Sequence, residues 1–256
     1  NRGVYPLAPS LDHVGPITRT VLDNALLLTV LAGHTISDSP YLATIAEPVD
    51  QLRVGIPNNR YFTPIDGAIQ EHYQQVQRWL EEANVPLHSI VWPEPEAIRD
   101  DFWLTMCAEA YAIHHDHLEQ YDDAYWDHEV KERILSGVDI KAGDYLAAQY
   151  RKREHYQPLF ENLFTQVDLL FLPTTALLPR ALEERYVINE EGERAPLRLY
   201  INKFTGLTNY LGLPSISLPV GQNAEGLPIG MQLVGAKGSE GKLYQMASFL
   251  EQRAKG

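Results

Sequence analysis

Two short apolar runs late in the chain, Ser215 to Val220 and Ile229 to Val234, flank a segment whose Asn223, Gly226 and Pro228 are turn formers. This pattern reads as a hairpin, and a lone hairpin is marginal in water, so it must belong to a larger sheet. Leu213-Pro214 opens the first run where a proline interrupts no ladder of backbone donors. Just upstream, Asn202, Thr205, Thr208 and Asn209 put short uncharged polar groups at the strand's entry. Such groups suit recognition of an amide or ester, and they equally suit helix capping.

Further upstream, Leu52 to Pro57 alternates apolar and polar residues as a strand does, and Leu87 to Trp92 reads as another. Between them Ile69, Tyr73, Val76 and Leu80 make a one-sided stripe on a helix from about Asp66 to Ala83. Strand, amphipathic helix, strand is a crossover unit, and it implies parallel neighbours in an α/β sheet. Val167 to Pro173 is apolar almost throughout, as expected for a sheet centre covered on both sides. The fold class expected is therefore α/β, a mixed β-sheet covered by helices.

Helices fill most of the remainder. Thr20 can cap a helix from Val21 to Ala32, so apolar that burial on more than one face is expected, with Gly33 as its stop. Further helices are expected over 95 to about 119, from Val130 to Leu135 ending at Gly137, from Asp144 to about Gln166, from Leu197 to Asn209 and from Glu240 to Glu251. The buried side of the Asp144 helix would carry Tyr145, Leu146, Tyr150, Leu159, Phe160 and Phe164. The opening to Pro16 reads as extended, with Val4-Tyr5 as a short strand. Loops are expected over His34 to Gln51, over the acidic, aromatic Glu119 to Asp127, and over Pro179 to Ala195, the last an exposed loop or flap.

Several clusters invite chemistry. Asp12-His13 pairs a carboxylate with an imidazole in sequence, but neighbours in an extended segment point opposite ways, so a direct relay is not expected. His114 and His117 share a helix face at a spacing seen in metal sites, although no partner motif accompanies them; a solvated helix end is the plainer reading. Cys107 sits among apolar neighbours and reads as a core residue. Arg151-Lys152-Arg153 is the one dense basic run and reads as a solvated face.

A net charge of −13 repels phosphate backbones and anionic lipid heads, so neither a nucleic-acid nor a membrane partner is expected. One cysteine rules out an internal disulfide, and no apolar run approaches the ~18 residues of a membrane span, so a cytoplasmic location is the default expectation. Small-molecule chemistry fits best.

Three stretches carry a resemblance. Tyr5 to Val21 (YPLAPSLDHVGPITRTV), Asp168 to Thr175 (DLLFLPTT), and the pair Gly212 to Ser217 (GLPSIS) with Gly226 to Gly235 (GLPIGMQLVG) resemble, in the same order, segments of the amidase signature enzymes, serine hydrolases of C–N bonds. The resemblance implies the C-terminal portion of that fold over residues 1–256, without a clear internal domain boundary. It also implies a catalytic serine, a second serine joined by a cis peptide bond and a lysine, all upstream of Asn1, so that no catalytic residue is expected here and the chain alone would be inactive. The only glycine-flanked serine of the nine, Ser239, reads as a turn before the last helix.

By the same resemblance no metal or cofactor is expected, and the substrate is a small-molecule amide. Candidate substrate-binding residues are Thr174, Thr175, Asn202, Thr205, Asn209 and Arg133. The resemblance implies that Asn202 lies near where the glutaminase subunit of tRNA-dependent amidotransferases carries an aspartate for the glutamine amino group, and that Arg133, in Lys-Glu-Arg-Ile, can pair a substrate carboxylate, a surface salt bridge being its plainer reading. Three functions stay open: the pocket-forming part of an amidase or of such a glutaminase, a binding or scaffold module without chemistry, and a metal-dependent enzyme using His114 and His117. A sheet deprived of its upstream strands would expose an unpaired edge, so the missing N-terminal half, or a second copy in a homo-oligomer, is the expected protein partner.

Overall fold

In the computed structural model, which describes residues 1, 3–63, 65–121, 127–188 and 192–255, the hairpin forms as expected. Its strands β6 (Ser215–Gln222) and β7 (Pro228–Gly235) pair antiparallel from Ser215 opposite Val234 to Gln222 opposite Pro228. β7 lies antiparallel to β3 (Leu169–Pro173), which runs parallel to β1 (Val54–Pro57), itself parallel to β2 (Leu87–Ile90). The sheet is mixed, in the order β2-β1-β3-β7-β6. The crossover between β1 and β2 is α3 (Gly67–Glu82), capped by Asp66, whose side chain accepts the Ala68 N–H. Ile69, Val76 and Leu80 are its buried stripe.

Each face of the sheet carries its own core. Leu170, Leu172 and Val234 pack with Trp92, Phe102, Phe160, Phe204 and Tyr210, most of them on α4 (Pro95–Gln120), α7 (Gln157–Gln166) and α9 (Thr205–Leu211). On the other face Leu169, Phe171, Met231 and Leu233 meet Val76, Leu80, Leu243, Met246 and Leu250, the last three from α10 (Glu240–Ala254). Full burial of each such side chain contributes about 1.5–3 kcal/mol. Every residue of β3 is buried, as its place at the middle of the sheet requires.

Asp168, at the entry to β3, ties three elements together. Its carboxylate accepts from the Arg53 backbone N–H (2.9 Å) and Nε (3.0 Å) beside β1 and from Lys242 Nζ (2.7 Å) on α10. Burial works against its charge, but the hydrogen bonds from Arg53 and Lys242 outweigh that penalty and hold the carboxyl well below the usual carboxylate range.

Several expectations are corrected. The helix α1 (Val21–Leu31) is capped by Thr20, but it buries only Val21, Ala25 and Thr29; Leu22, Leu27, Val30 and Leu31 face outward. Its apolar composition therefore overstated its burial. Val4-Tyr5 forms no strand. Tyr5 instead lies against His114 and His117, donating or accepting at His117 Nδ1 (3.0 Å), while His114 Nε2 sits 3.0 Å from the Pro6 carbonyl. His114 is buried, so that helix end is not simply solvated: its imidazoles hold the N-terminal segment. Among the described residues no group of three His, Cys, Asp or Glu side chains is arranged to hold a metal.

The loop over His34 to Gln51 contains one short helix, α2 (Pro40–Ala43). The bend expected over Glu119 to Asp127 falls largely outside the described residues. Beyond it α5 (His128–Leu135) forms, and Gly137 then passes so close to α4 that a Cβ there would lie 2.2 Å from the Cys107 carbonyl oxygen. The long helix is interrupted: α6 (Ala142–Arg151) and α7 are joined by a π-helical turn, Lys152–Tyr156. The wider turn shifts the buried stripe, so Leu146 and Tyr150 are exposed and Ala148 and Tyr156 are buried instead.

That turn also changes the basic run. Arg151 pairs with buried Asp101 (Nε to Oδ2 2.8 Å), which Tyr156 also reaches at 3.0 Å, and Lys152 lies over the Tyr210 ring, where burial lowers its pKa. Arg151 and Arg153 stay exposed, as a solvated face implies, and only Lys152 is partly buried. Pro179 to Ala195 contains a small antiparallel pair, β4 (Tyr186–Ile188) with β5 (Arg194–Pro196). The expected helix Leu197 to Asn209 is two, α8 (Arg198–Ile201) and α9, broken at 202–204. No helix among the described residues is long and apolar enough to cross a membrane.

Replacing Asp168→Asn should lower stability in urea denaturation at neutral pH by about 2 kcal/mol, since charge-assisted hydrogen bonds from two elements are weakened. Because folding depresses this carboxyl's pKa, its contribution is complete above the unfolded value of about 4 and is lost as pH falls toward the folded one. The gap between wild type and variant should therefore narrow in acid.

Candidate functional site

The break between α8 and α9 and the left-handed turn at the end of α9 shape the site. Gly212, at φ +68°, lets its N–H reach the Asn209 carbonyl while the Leu213 N–H reaches that of Thr208, so the chain leaves α9 and enters β6 within three residues. Facing this corner are the segment 13–20, the start of α1 and the start of α10. Together they line a cavity of about 840 Å³ whose walls include His13, Asn202, Thr205, Thr208, Asn209 and Ser217. Phe102 forms part of the apolar lining beneath Gly206.

The candidate residues divide. Asn202, Thr205 and Asn209 line the cavity; Thr174, Thr175 and Arg133 lie outside its lining. Thr174 reaches it indirectly, donating from Oγ1 to Ser217 Oγ (3.1 Å), whereas Thr175 turns its hydroxyl to the Leu177 carbonyl (2.9 Å). Arg133 lies on α5, half-buried, and its Nε is buried without a hydrogen-bond partner among the described residues. The Asn202 carboxamide and the Thr205 hydroxyl carry no side-chain hydrogen bond among the described residues. Asn209 is engaged: its Nδ2 donates to the Leu11 carbonyl (2.8 Å).

That last bond carries a residue to which sequence reasoning gave little weight. His13 Nδ1 lies 2.7 Å from the same Leu11 carbonyl and 3.3 Å from Asn209 Nδ2. Asp12 is turned away, its carboxylate accepting the N–H groups of Leu7 (2.9 Å) and Ala8 (3.2 Å). The two neighbours therefore act separately, as the extended backbone implied. No local pattern signals that Asn209 meets Leu11, since 198 residues separate them.

The cavity sets uncharged polar groups into a lining that is mostly apolar and weakly charged. Of the charged residues in its lining, Glu251 accepts the Val21 N–H (3.1 Å) and pairs with Lys255 (3.2 Å), and the others are Arg19 and Glu240, one of each sign. Uncharged donors and acceptors beside apolar surface are suited to a neutral polar group such as an amide.

Comparison with known proteins agrees with this architecture. The family described as Amidase matches residues 1–244, and the chain belongs to that amidase family. It is 30% identical over 287 aligned residues to a glutamyl-tRNA(Gln) amidotransferase subunit of Afipia carboxidovorans, covering 98% of this chain and 56% of that protein. The corresponding subunit of Rhodopseudomonas palustris is 31% identical with the same coverage. The chain thus spans about half the length of the curated relatives it matches. Among solved structures, a crystal structure of an amidase superposes with a TM-score of 0.84 at 27% identity, over 97% of this chain and 54% of that one. An s-triazine catabolic enzyme superposes at 0.86 with 24% identity over 98% and 55%, a likeness of fold.

Because Gly212 needs its left-handed backbone, Gly212→Ala should cost about 1 kcal/mol in thermal or chemical unfolding, although a methyl there meets only the end of Lys237 at 3.9 Å. Gly15→Ala, on the opposite wall with open space around it, should leave stability unchanged in the same assay.

Proposed function

We propose that this chain forms one wall of the substrate pocket of an enzyme that hydrolyses carboxamide C–N bonds. The reacting serine, the second serine and the lysine belong, in this reading, to the portion of the family domain that the chain does not span. The observation that carries it is the cavity itself: the α8–α9 break brings Asn202 and Thr205 to face the segment 13–20 in one largely uncharged pocket, where polar groups are set among apolar surface. The family and the share of its relatives' length that the chain covers support the division of labour. Ser239, the only serine flanked closely by glycines, turns its hydroxyl to the Ala236 carbonyl (2.7 Å), the role of a turn residue.

A second reading, the glutaminase portion of a tRNA-dependent amidotransferase, is favoured by the names of the curated relatives and by Arg133 in its Lys-Glu-Arg-Ile run. Against it stands Asn202: a neutral amide facing an ammonium forgoes the charge-assisted bond, worth about 1.5–3 kcal/mol. The amide-hydrolase reading has no need of that contact.

Exposed features of the fold support a partner surface in this reading. β6 is the last strand of the sheet, Ile17 is 98% exposed, and Leu22, Val30 and Leu31 face outward from α1, which follows it. The occupant in this reading is the complementary half of the domain, and in its absence a second copy.

Two measurements test these readings. The chain by itself should leave simple carboxamides intact, and hydrolysis should appear when the complementary half of the domain is supplied; a serine among its own nine labelled by an acyl phosphonate, with turnover by the chain alone, overturns the proposal. By multi-angle light scattering the purified chain alone should be a dimer or larger, and a monomer at high concentration would refute the exposed-edge argument.

A further inference from the structure

The short contact to the Leu11 carbonyl assigns the tautomer of His13, and the longer 3.3 Å approach of Asn209 Nδ2 to Nδ1 is then that of two donors sharing one oxygen. A carbonyl oxygen has no proton to give, so a 2.7 Å contact to the Leu11 oxygen requires the hydrogen on Nδ1. In the neutral ring the lone pair is then on Nε2. His13 lines the cavity, and Nε2 has no hydrogen-bond partner among the described residues. Asn209 donates to the same carbonyl at 2.8 Å from α9, pinning the backbone on which the ring hangs. The orientation of His13 is thus held by two bonds to one oxygen, one from its own ring and one from an element far away in sequence.

We propose that His13 is a ligand-contacting residue of this cavity, its Nε2 accepting a hydrogen bond from the N–H of a carboxamide, and that Asn209 is the residue that positions it. This rests on the reading of the cavity as the amide site. The chemistry selects the group. A carboxamide offers N–H donors to Nε2 and a carbonyl acceptor to the Asn202 amide or the Thr205 hydroxyl, both of which line the same cavity. An ester of the same shape has no N–H for the ring. A carboxylate, the product of hydrolysis, sets oxygen lone pairs against the lone pair of the neutral imidazole, so the same residue that favours substrate disfavours product.

The test uses the full 256-residue chain labelled uniformly with ¹⁵N, histidine rings and backbone amides alike, at about pH 8, above the ordinary imidazole pKa of about 6.5. The His13 resonances should report the Nδ1–H tautomer, and Asn209→Ala should turn it into a mixture. Isobutyramide should shift the Nε2 resonance together with backbone resonances of Asn202 and Thr205, and methyl isobutyrate should leave Nε2 unmoved. His13→Phe should weaken isobutyramide binding about tenfold, the worth of one such hydrogen bond.

An Nε2–H tautomer, or equal shifts by amide and ester, overturns the proposal. If the amide shifts Asn202 and Thr205 but not Nε2, the role of His13 fails while the amide-site reading stands. If it shifts none of the cavity residues, both fail. An unchanged tautomer in Asn209→Ala removes the positioning role of Asn209.

Discussion

The structure depends on the environment of β3. All five of its residues are buried, and it is hydrogen-bonded on both edges, parallel to β1 and antiparallel to β7. A strand with no free edge and no wet face must have its flanking polar groups satisfied at its ends. At its entry Asp168 does this by gathering Arg53 and Lys242; at its exit the Thr174 N–H donates to the Gly230 carbonyl and its hydroxyl reaches Ser217. Both ends therefore tie β3 to neighbouring elements, and the exit end ties it to the strand that lines the cavity. Rigidity of the central strand is thereby passed to the cavity wall, which a binding surface needs if it is to keep its donors and acceptors in place.

Elements whose pattern is strictly local were legible in the sequence. The stripe Ile69, Val76 and Leu80, the all-apolar run before Pro173 and the turn between β6 and β7 each needed only a few neighbouring residues to specify them. What was not legible came from two sources. In α1 the apolar composition implies burial, but none of the described residues covers its outer leucines. In the Asp144 helix one extra residue in a π turn rotated everything before it relative to what followed, and a fixed 3.6-residue period cannot register that.

Long-range polar contacts lie beyond local pattern as well. Arg151 stays substantially exposed, yet its guanidinium pairs with the buried carboxylate of Asp101, 50 residues away, which the Tyr156 hydroxyl also reaches. The cavity shows the same limitation. Asn202, Thr205 and Asn209 are legible as a polar cluster before a strand, and they line one wall. The opposite wall, from His13 to Thr20, could be connected to them only through the fold, because a backbone carbonyl at Leu11 bears no mark in sequence of the side chain that will find it.

The location of the cavity also constrains how it can be completed. It lies against β6, the edge strand, whose residues Ser215, Ser217 and Pro219 form part of its lining, and Ile17, another lining residue, is almost fully exposed. Unpaired backbone groups along an edge and an apolar side chain next to it favour coverage by another segment of polypeptide. In the reading proposed above, a segment that pairs with β6 also borders the cavity, since the strand serves both as sheet edge and as cavity wall. Exclusion of water from the pocket is then coupled to closure of the sheet. In a drier pocket each hydrogen bond from the uncharged groups of this wall discriminates more strongly between ligands than it would in open solvent.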